Sequence, residues 1–179
     1  MSVHLGILQT DSVLEDLQPR FGDYPQMFEG LFREQDPGMT FTTYNVQHAL
    51  PDNLECDAYL ITGCKLSVYD DLPWIRELAS FVRQAIEAKK KILGICFGHQ
   101  LIAHFFGGEA GPASAGWGVG VQTNDLVMTH GWMGDVNQIP SQLHLVASHK
   151  DQVLKLPEGA EVFASSDFCP VSGFTLGDE

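Results

Sequence analysis

Basic residues are scarce in this sequence. Lysine and arginine together number 10 of 179 residues, against 23 aspartates and glutamates, and the formal net charge is -13. Such a surface repels phosphate backbones, so nucleic acid is a poor candidate partner. The sequence also lacks a run of about 20 apolar residues that could span a membrane. Its first residues, MSVHLGILQTDSV, carry no basic segment before a long apolar stretch, unlike a signal peptide. These features predict a cytoplasmic protein that binds neither nucleic acid nor membrane.

Motifs for metal ions and nucleotide phosphates are missing as well. The four cysteines form no CxxC pair and the seven histidines form no HExxH cluster. No GxxxxGK[ST] phosphate loop occurs. We therefore expect no metal and no cofactor, and free thiols that suit a reducing compartment.

Short apolar runs alternate with amphipathic stretches, which is typical of an α/β domain. A helix after Pro73 has the clearest apolar stripe, and Asp70 or Asp71 is its predicted N-cap. After Gly108 the sequence becomes rich in glycine, and its short alternating pieces predict antiparallel strands. No linker interrupts the chain, so we predict a single domain over residues 1–179. The other predicted strands are 3–8, 40–46, 58–62, 91–95, 143–147, 161–164 and 171–176, and the other predicted helices are 24–33 and 98–106.

The most informative segment is GICFGHQ, residues 94–100. An apolar strand runs into Cys96 and a helix follows at once, so the turn presents this residue at the carboxyl end of the sheet, where open α/β sheets bind ligands. Gly94 and Gly98 suit a close approach of the strand and helix backbones. A helix N-terminus favours the reactive thiolate, and its amides can hold an oxyanion. The segment favours a nucleophile elbow, although the elbow pattern alone also fits a small buried cysteine.

The segment resembles the G-x-C-x-G-x-Q nucleophile motif of class I glutamine amidotransferases. ITGCKLS, residues 61–67, is similar to the oxyanion loop of that family, which usually has two glycines and a later serine. SHKD, residues 148–151, is similar to its S-H-x-D segment. GWG at 116–118 and ASSD at 164–167 match two further motifs in the same order. The nearest resemblance is to the stand-alone GMP-synthase-like group of the family.

The resemblance implies a fold and a chemistry. The fold is a three-layer, mostly parallel open sheet of the flavodoxin-like amidotransferase type with an antiparallel strand insertion. Cys96 is the implied nucleophile, which forms a γ-glutamyl thioester and releases ammonia from glutamine. The implied oxyanion hole comprises Gly63, Cys64 and Phe97. The implied substrate-binding residues are Gln100, Ser148 and His149.

The sequence departs from the family at the base. The family uses a histidine from a later H-x-E motif, and no H-x-E occurs in these 179 residues. We therefore expect a C-terminal end that lacks the last strand and helix of the family, with impaired activity. Truncation and a pseudoenzyme remain equal explanations. His99 and His149 are weaker alternatives for the base.

Three functions stay open at this point. The chain could release ammonia from glutamine for a separate synthetase, since it carries no synthetase motif of its own. It could instead be a γ-glutamyl peptidase or hydrolase. It could also be a non-catalytic subunit that binds glutamine. The sequence names neither the ammonia acceptor nor the oligomeric state.

Overall fold

The computed structural model describes residues 2–177, and the chain divides into two compact units, Met1–Ile102 and Ala103–Glu179. The first unit has four strands and four helices within its described residues. The last residues of the fourth helix begin the second unit. The strands are β1 (His4–Gln9), β2 (Thr40–Asn45), β3 (Ala58–Ile61) and β4 (Lys91–Gly94), and the helices are α1 (Gln18–Phe21), α2 (Tyr24–Gln35), α3 (Pro73–Glu87) and α4 (Phe97–Phe105).

The four strands of the first unit form one parallel sheet in the order β2-β1-β3-β4. Each predicted strand of this unit is present, with ends that differ by one residue or so. The strand order is not sequential, because β1 lies between β2 and β3 and pairs with both in parallel. All carboxyl ends therefore meet at one edge, which is the edge where Cys96 follows β4.

Alternate residues of β1 and β3 face opposite sides of the sheet. Leu5, Ile7 and Leu60 form a buried cluster against which Phe28 and Phe32 of α2 pack. Tyr59 and Ile61 point to the opposite face. There Tyr59 meets Phe81 of α3 edge to face, with ring centroids 5.2 Å apart, and a Cβ on Gly98 of α4 would touch Ile61. Helices thus cover both faces of the sheet, which confirms the predicted three layers.

The predicted cap of α3 is wrong. The N-cap residue is Leu72, which makes no side-chain capping hydrogen bond, and Pro73 begins the helix. Asp70 accepts a hydrogen bond from the Ser67 amide at 3.0 Å, and Asp71 pairs with Arg76. Both carboxylates thus have local side-chain or amide partners instead of capping the first amides of α3, which residue type alone does not reveal.

The second unit consists of antiparallel strands, as predicted. One described sheet has the order β10-β9-β6-β7 and another pairs β5 with β8. The sequence patterns predicted neither β5 nor β8, because EAGP and DQVLK show neither a compact apolar run nor a clear alternation. A short 3₁₀ turn, Gly131–Met133, lies between β6 and β7. The strands are β5 (Glu109–Pro112), β6 (Gly118–Leu126), β7 (Gln142–His149), β8 (Asp151–Lys155), β9 (Ala160–Ser165) and β10 (Gly173–Leu176).

Among residues 2–177, no helix has the length and apolar character needed to cross a membrane.

Candidate active site

Cys96 lies between β4 and α4 in a left-handed backbone conformation, with φ of 52°. The Ile95 amide still bonds to the Ile61 carbonyl at 3.0 Å, so strand pairing continues up to the residue before Cys96. The Cys96 carbonyl already accepts from the Gln100 amide at 3.0 Å, which is the first helical bond of α4. The turn from strand to helix is therefore made at Cys96 alone. A non-glycine residue with positive φ carries strain, and such strain concentrates at functional sites.

The loop after β3 lies beside Cys96. A Cβ placed on Gly63 would be 3.7 Å from the Cβ of Cys96. Cys64 stands where the family has a second glycine, yet it is not among the described residues with positive φ, so the substitution introduces no left-handed strain. Phe97 is the first residue of α4, and its amide is one of the helix N-terminal donors without an intrahelical acceptor. The predicted oxyanion donors thus come from two segments next to one thiol.

The thiol of Cys64 is partly buried beside a carboxylate, which disfavours its ionisation. Burial raises its pKa to about 11, and the Asp11 carboxylate adds to that increase. The Cys64 Sγ lies 3.9 Å from Asp11 Oδ2 and accepts from the Leu66 amide at 3.5 Å. At neutral pH this cysteine is therefore a thiol and a weak nucleophile. Its predicted role in the oxyanion hole uses the backbone amide and not the sulfur.

We expect alkylation of Cys64 to rise about tenfold per pH unit between pH 8 and pH 10, because only the thiolate reacts. Mass spectrometry after timed iodoacetamide pulses would give the rate at each pH, and the Cys64→Ala variant assigns the modified peptide. A plateau below pH 9 would contradict the raised pKa of Cys64.

Asp11 and Tyr24 belong to the same neighbourhood, although no sequence motif indicated either residue. Burial alone would raise the pKa of Asp11, but hydrogen bonds from the Lys65 and Ser12 amides and the Lys65 ammonium together lower it. Asp11 is therefore ionised at neutral pH. Burial raises the pKa of Tyr24, and the Asp11 carboxylate raises it further. These interactions link residues far apart in sequence, so spacing could not have revealed them.

The predicted substrate-binding residues lie in different parts of the chain. Gln100 is buried in the first turn of α4, within the first unit. Ser148 and His149 lie at the end of β7, in the second unit. His149 Nδ1 is 3.0 Å from the Asp151 carbonyl, and its ring is tilted against Phe168. Their substrate-binding roles remain predictions.

An open cavity of about 640 Å³ lies within the second unit, lined mainly by apolar groups such as Trp132, Met133 and Phe163. It contains none of the predicted site residues, and it offers one carboxylate, Asp135, among apolar neighbours. Among residues 2–177, no three His, Cys, Asp or Glu side chains are grouped to hold a metal ion. The cavity lining contains no cysteine and none of the predicted site residues, so Cys96 remains the predicted nucleophile.

Several known proteins are similar to this chain in sequence or in fold. The family model of class-I glutamine amidotransferases matches residues 32–176. "Gamma-glutamyl peptidase 3" of Arabidopsis thaliana is 34% identical over 92% of this chain and 68% of its own length. A glutamine-hydrolyzing GMP synthase subunit of Methanocaldococcus jannaschii is 40% identical over 55% of this chain and 50% of its own length. A glutamine amidotransferase structure from Thermotoga maritima superposes with a TM-score of 0.81 at 19% identity, over 99% of this chain and 73% of that one.

The alignments cover only part of each relative's length. The chain spans 60–68% of the length of the Arabidopsis γ-glutamyl peptidases that it matches. The family match nevertheless includes the Gly63 loop, the Cys96 turn and β7. The parallel sheet and the antiparallel strands also agree with the fold of the solved relative. This chain belongs to the class I glutamine amidotransferase family.

Proposed function

We propose that this chain hydrolyses γ-glutamyl amide bonds with Cys96 as the nucleophile. The observation that carries the proposal is the position of Cys96, held at φ of 52° between β4 and α4 with the Gly63 loop beside it. The amides of Cys64 and Phe97, from separate segments, could stabilise an oxyanion at Cys96. A cysteine that only packs in a core would not need such donors. A reducing compartment such as the cytoplasm would keep the four cysteines, none of which is in a disulfide, as thiols.

The proposed reaction has two stages. The Cys96 sulfur attacks the side-chain carbonyl carbon of the γ-glutamyl group, and the amides of Cys64 and Phe97 hold the oxyanion. The C–N bond then breaks, and the thiol proton leaves on the departing nitrogen, so the products are a thioester and a free amine. Water next attacks the thioester, which releases glutamate and restores the thiol. Gln100, Ser148 and His149 would hold the α-amino and α-carboxylate ends of the glutamyl group.

The leaving group decides between two versions of this activity. The relatives that align with over nine-tenths of this chain include two named γ-glutamyl peptidases, which supports an amino acid or peptide as the leaving group. The relatives named as glutamine-hydrolyzing GMP synthase subunits support glutamine as substrate and ammonia as product, with a separate synthetase as its acceptor. They align over about half of this chain, so we place the peptidase version first.

The rate is expected to be low in an isolated chain of these 179 residues. No H-x-E motif supplies the family's histidine base within them. A proton must still leave the thiol and reach the departing nitrogen, and general acid–base assistance contributes about 10²–10⁴-fold in typical enzymes. A chain without turnover that still binds glutamine would act as a regulatory subunit.

The test compares two substrates at equal concentration, a γ-glutamyl dipeptide and glutamine. Released amino acid and released ammonia are measured over time, with Cys96→Ala as the blank. We expect the dipeptide to be cleaved faster and glutamate to appear in both reactions. Faster ammonia release would assign the amidotransferase version. Glutamine binding with no turnover and no modification of Cys96 by a glutamine chloromethyl ketone would refute hydrolysis and support the regulatory role.

A further inference from the structure

Thr10 and Asp11 follow β1 directly and contact the loop after β3. Thr10 is fully buried, and the Asp11 side chain is 12% exposed. Neither residue belongs to a motif found in the sequence, and neither is among the proposed oxyanion donors. Both belong to the first unit, as do Gly63 and Cys96. The side chains of Thr10 and Asp11 form hydrogen bonds with residues 62–65.

Thr10 and Thr62 form a closed set of hydrogen bonds. The Thr10 amide donates to Thr62 Oγ1 at 3.0 Å, and the two hydroxyl oxygens are 3.0 Å apart. Thr10 Oγ1 lies 2.8 Å from the Gly63 carbonyl oxygen and 3.1 Å from the Thr62 carbonyl oxygen. A hydroxyl donates one proton and accepts two. All donors are used when the Thr62 hydroxyl donates to Thr10 Oγ1 and the Thr10 hydroxyl donates to Gly63, its shortest contact.

The bond to Gly63 also sets the direction of the next amide. In a trans peptide the carbonyl and the following N–H point in opposite directions within one plane. No described peptide bond is cis. Because the Gly63 carbonyl is held toward Thr10, the N–H of Cys64 points away from Thr10. The same loop lies against Cys96, since a Cβ on Gly63 would be 3.7 Å from the Cys96 Cβ.

Asp11 restrains the other side of Cys64. Asp11 Oδ2 accepts from the Lys65 amide at 3.1 Å, and Asp11 Oδ1 is 3.2 Å from Lys65 Nζ. The carbonyl of the Gly63–Cys64 peptide is thus hydrogen-bonded to Thr10, and the amide of the Cys64–Lys65 peptide is hydrogen-bonded to Asp11. Both hydrogen bonds lead to the two residues after β1. The amide of Cys64 has little freedom to rotate.

We propose that Thr10 is a positioning residue whose hydroxyl orients the Gly63–Cys64 peptide, so that the Cys64 amide faces the oxyanion formed at Cys96. Asp11 supports this orientation from the Lys65 side. The inference rests on the proposed function, because it assigns the oxyanion donor of that same reaction. Thr10 itself touches neither the substrate nor the thiol.

The test uses two reagents that modify Cys96 by different routes. Iodoacetamide reacts by displacement at a saturated carbon and forms no oxyanion. A chloromethyl ketone analogue of glutamine forms a tetrahedral oxyanion at its ketone before the sulfur is alkylated. The ratio of the two rates therefore reports on the oxyanion hole, separately from the reactivity of the thiol. Mass spectrometry of the Cys96 peptide measures both rates.

We expect Thr10→Val to lower the chloromethyl ketone rate about 10- to 100-fold and to leave the iodoacetamide rate within about threefold, since loss of one oxyanion donor costs about 10²–10³-fold. Thr10→Ser keeps the hydroxyl and is expected to restore the ratio. Thr62→Val is the comparison variant: it removes a hydroxyl whose contact with the Gly63 carbonyl is longer, 3.3 Å, and leaves the 2.8 Å Thr10 bond in place, so we expect a smaller loss of the ratio. Thr10→Ala makes the same comparison if the valine variant does not fold.

Two results would overturn the inference. Equal losses in both rates for Thr10→Val, or equal losses of the ratio in Thr10→Val and Thr62→Val, would indicate a purely structural role. An unchanged ratio in a folded Thr10→Val or Thr10→Ala would exclude any role in orienting the amide. Failure of the proposed function has a different signature, because the ketone would then modify wild type and Cys96→Ala at the same low rate, and both proposals would fall.

Discussion

Cys96→Ala is expected to lower the slow γ-glutamyl hydrolysis of this chain by about tenfold or more, since losses of nucleophile and base do not add, and to abolish ketone labelling. The proposed mechanism forms a covalent bond to this sulfur, and removal of a nucleophile leaves only the contribution of the oxyanion donors and binding. Cys169→Ala is the matched control, since Cys169 is a buried cysteine in the second unit. We expect that variant to keep its activity. Hydrolysis that persists in Cys96→Ala would refute the assignment of the nucleophile.

The same position permits a test of strain. Cys96 has φ of 52°, where glycine is favoured over residues with a Cβ by about 1 kcal/mol. Cys96→Gly is therefore expected to unfold at a higher urea concentration than Cys96→Ala, while both lack activity. Equal midpoints for the two variants would mean that the left-handed turn stores no measurable strain. A Cys96→Gly variant that is inactive but more stable than wild type would show that cysteine is kept at this position for chemistry at a cost in stability.

Gly98→Ala is expected to lower the free energy of unfolding by about 3 kcal/mol or more. A Cβ at this position would lie 2.7 Å from both the Cβ and the carbonyl oxygen of Ile61, the fully buried last residue of β3. Neither atom is the end of a flexible side chain, so relief requires α4 to move away from β3. Urea unfolding followed by circular dichroism measures the change.

Gly30→Ala is the matched control for this prediction. Gly30 lies inside α2, and a Cβ there would meet no atom within 4 Å. Alanine favours a helix interior over glycine by about 1 kcal/mol, so this variant is expected to be slightly more stable than wild type. A Gly98→Ala protein as stable as wild type would contradict the close approach of α4 to the sheet. Loss of stability in both variants would point to a general intolerance of substitution.

The sequence predicted the first unit well because its elements are strongly periodic. The runs at β1, β3 and β4 are short and apolar, and α3 has a continuous apolar stripe in which Leu78 and Val82 are fully buried. The second unit was predicted less completely, since β5 (EAGP) and β8 (DQVLK) carry no clear apolar run, unlike β3 (AYLI). The cap of α3 was mistaken because the Asp70 side chain bonds to the Ser67 amide in a local turn before the helix, an alternative that residue type alone does not exclude.

The sequence by itself determined the alternation of strands and helices, the Gly-x-Cys-x-Gly turn and the order of the family's motifs. Local sterics account for this, because a strand that turns into a helix within one residue needs glycine on both sides of that residue. Only the tertiary structure brought Thr10 and Asp11 to the Gly63 loop. Parallel strands have their carboxyl ends at the same end of the sheet, whatever their separation along the chain. Residues 10 and 11 after β1 and residue 63 after β3 therefore lie close together, although no sequence spacing indicates it.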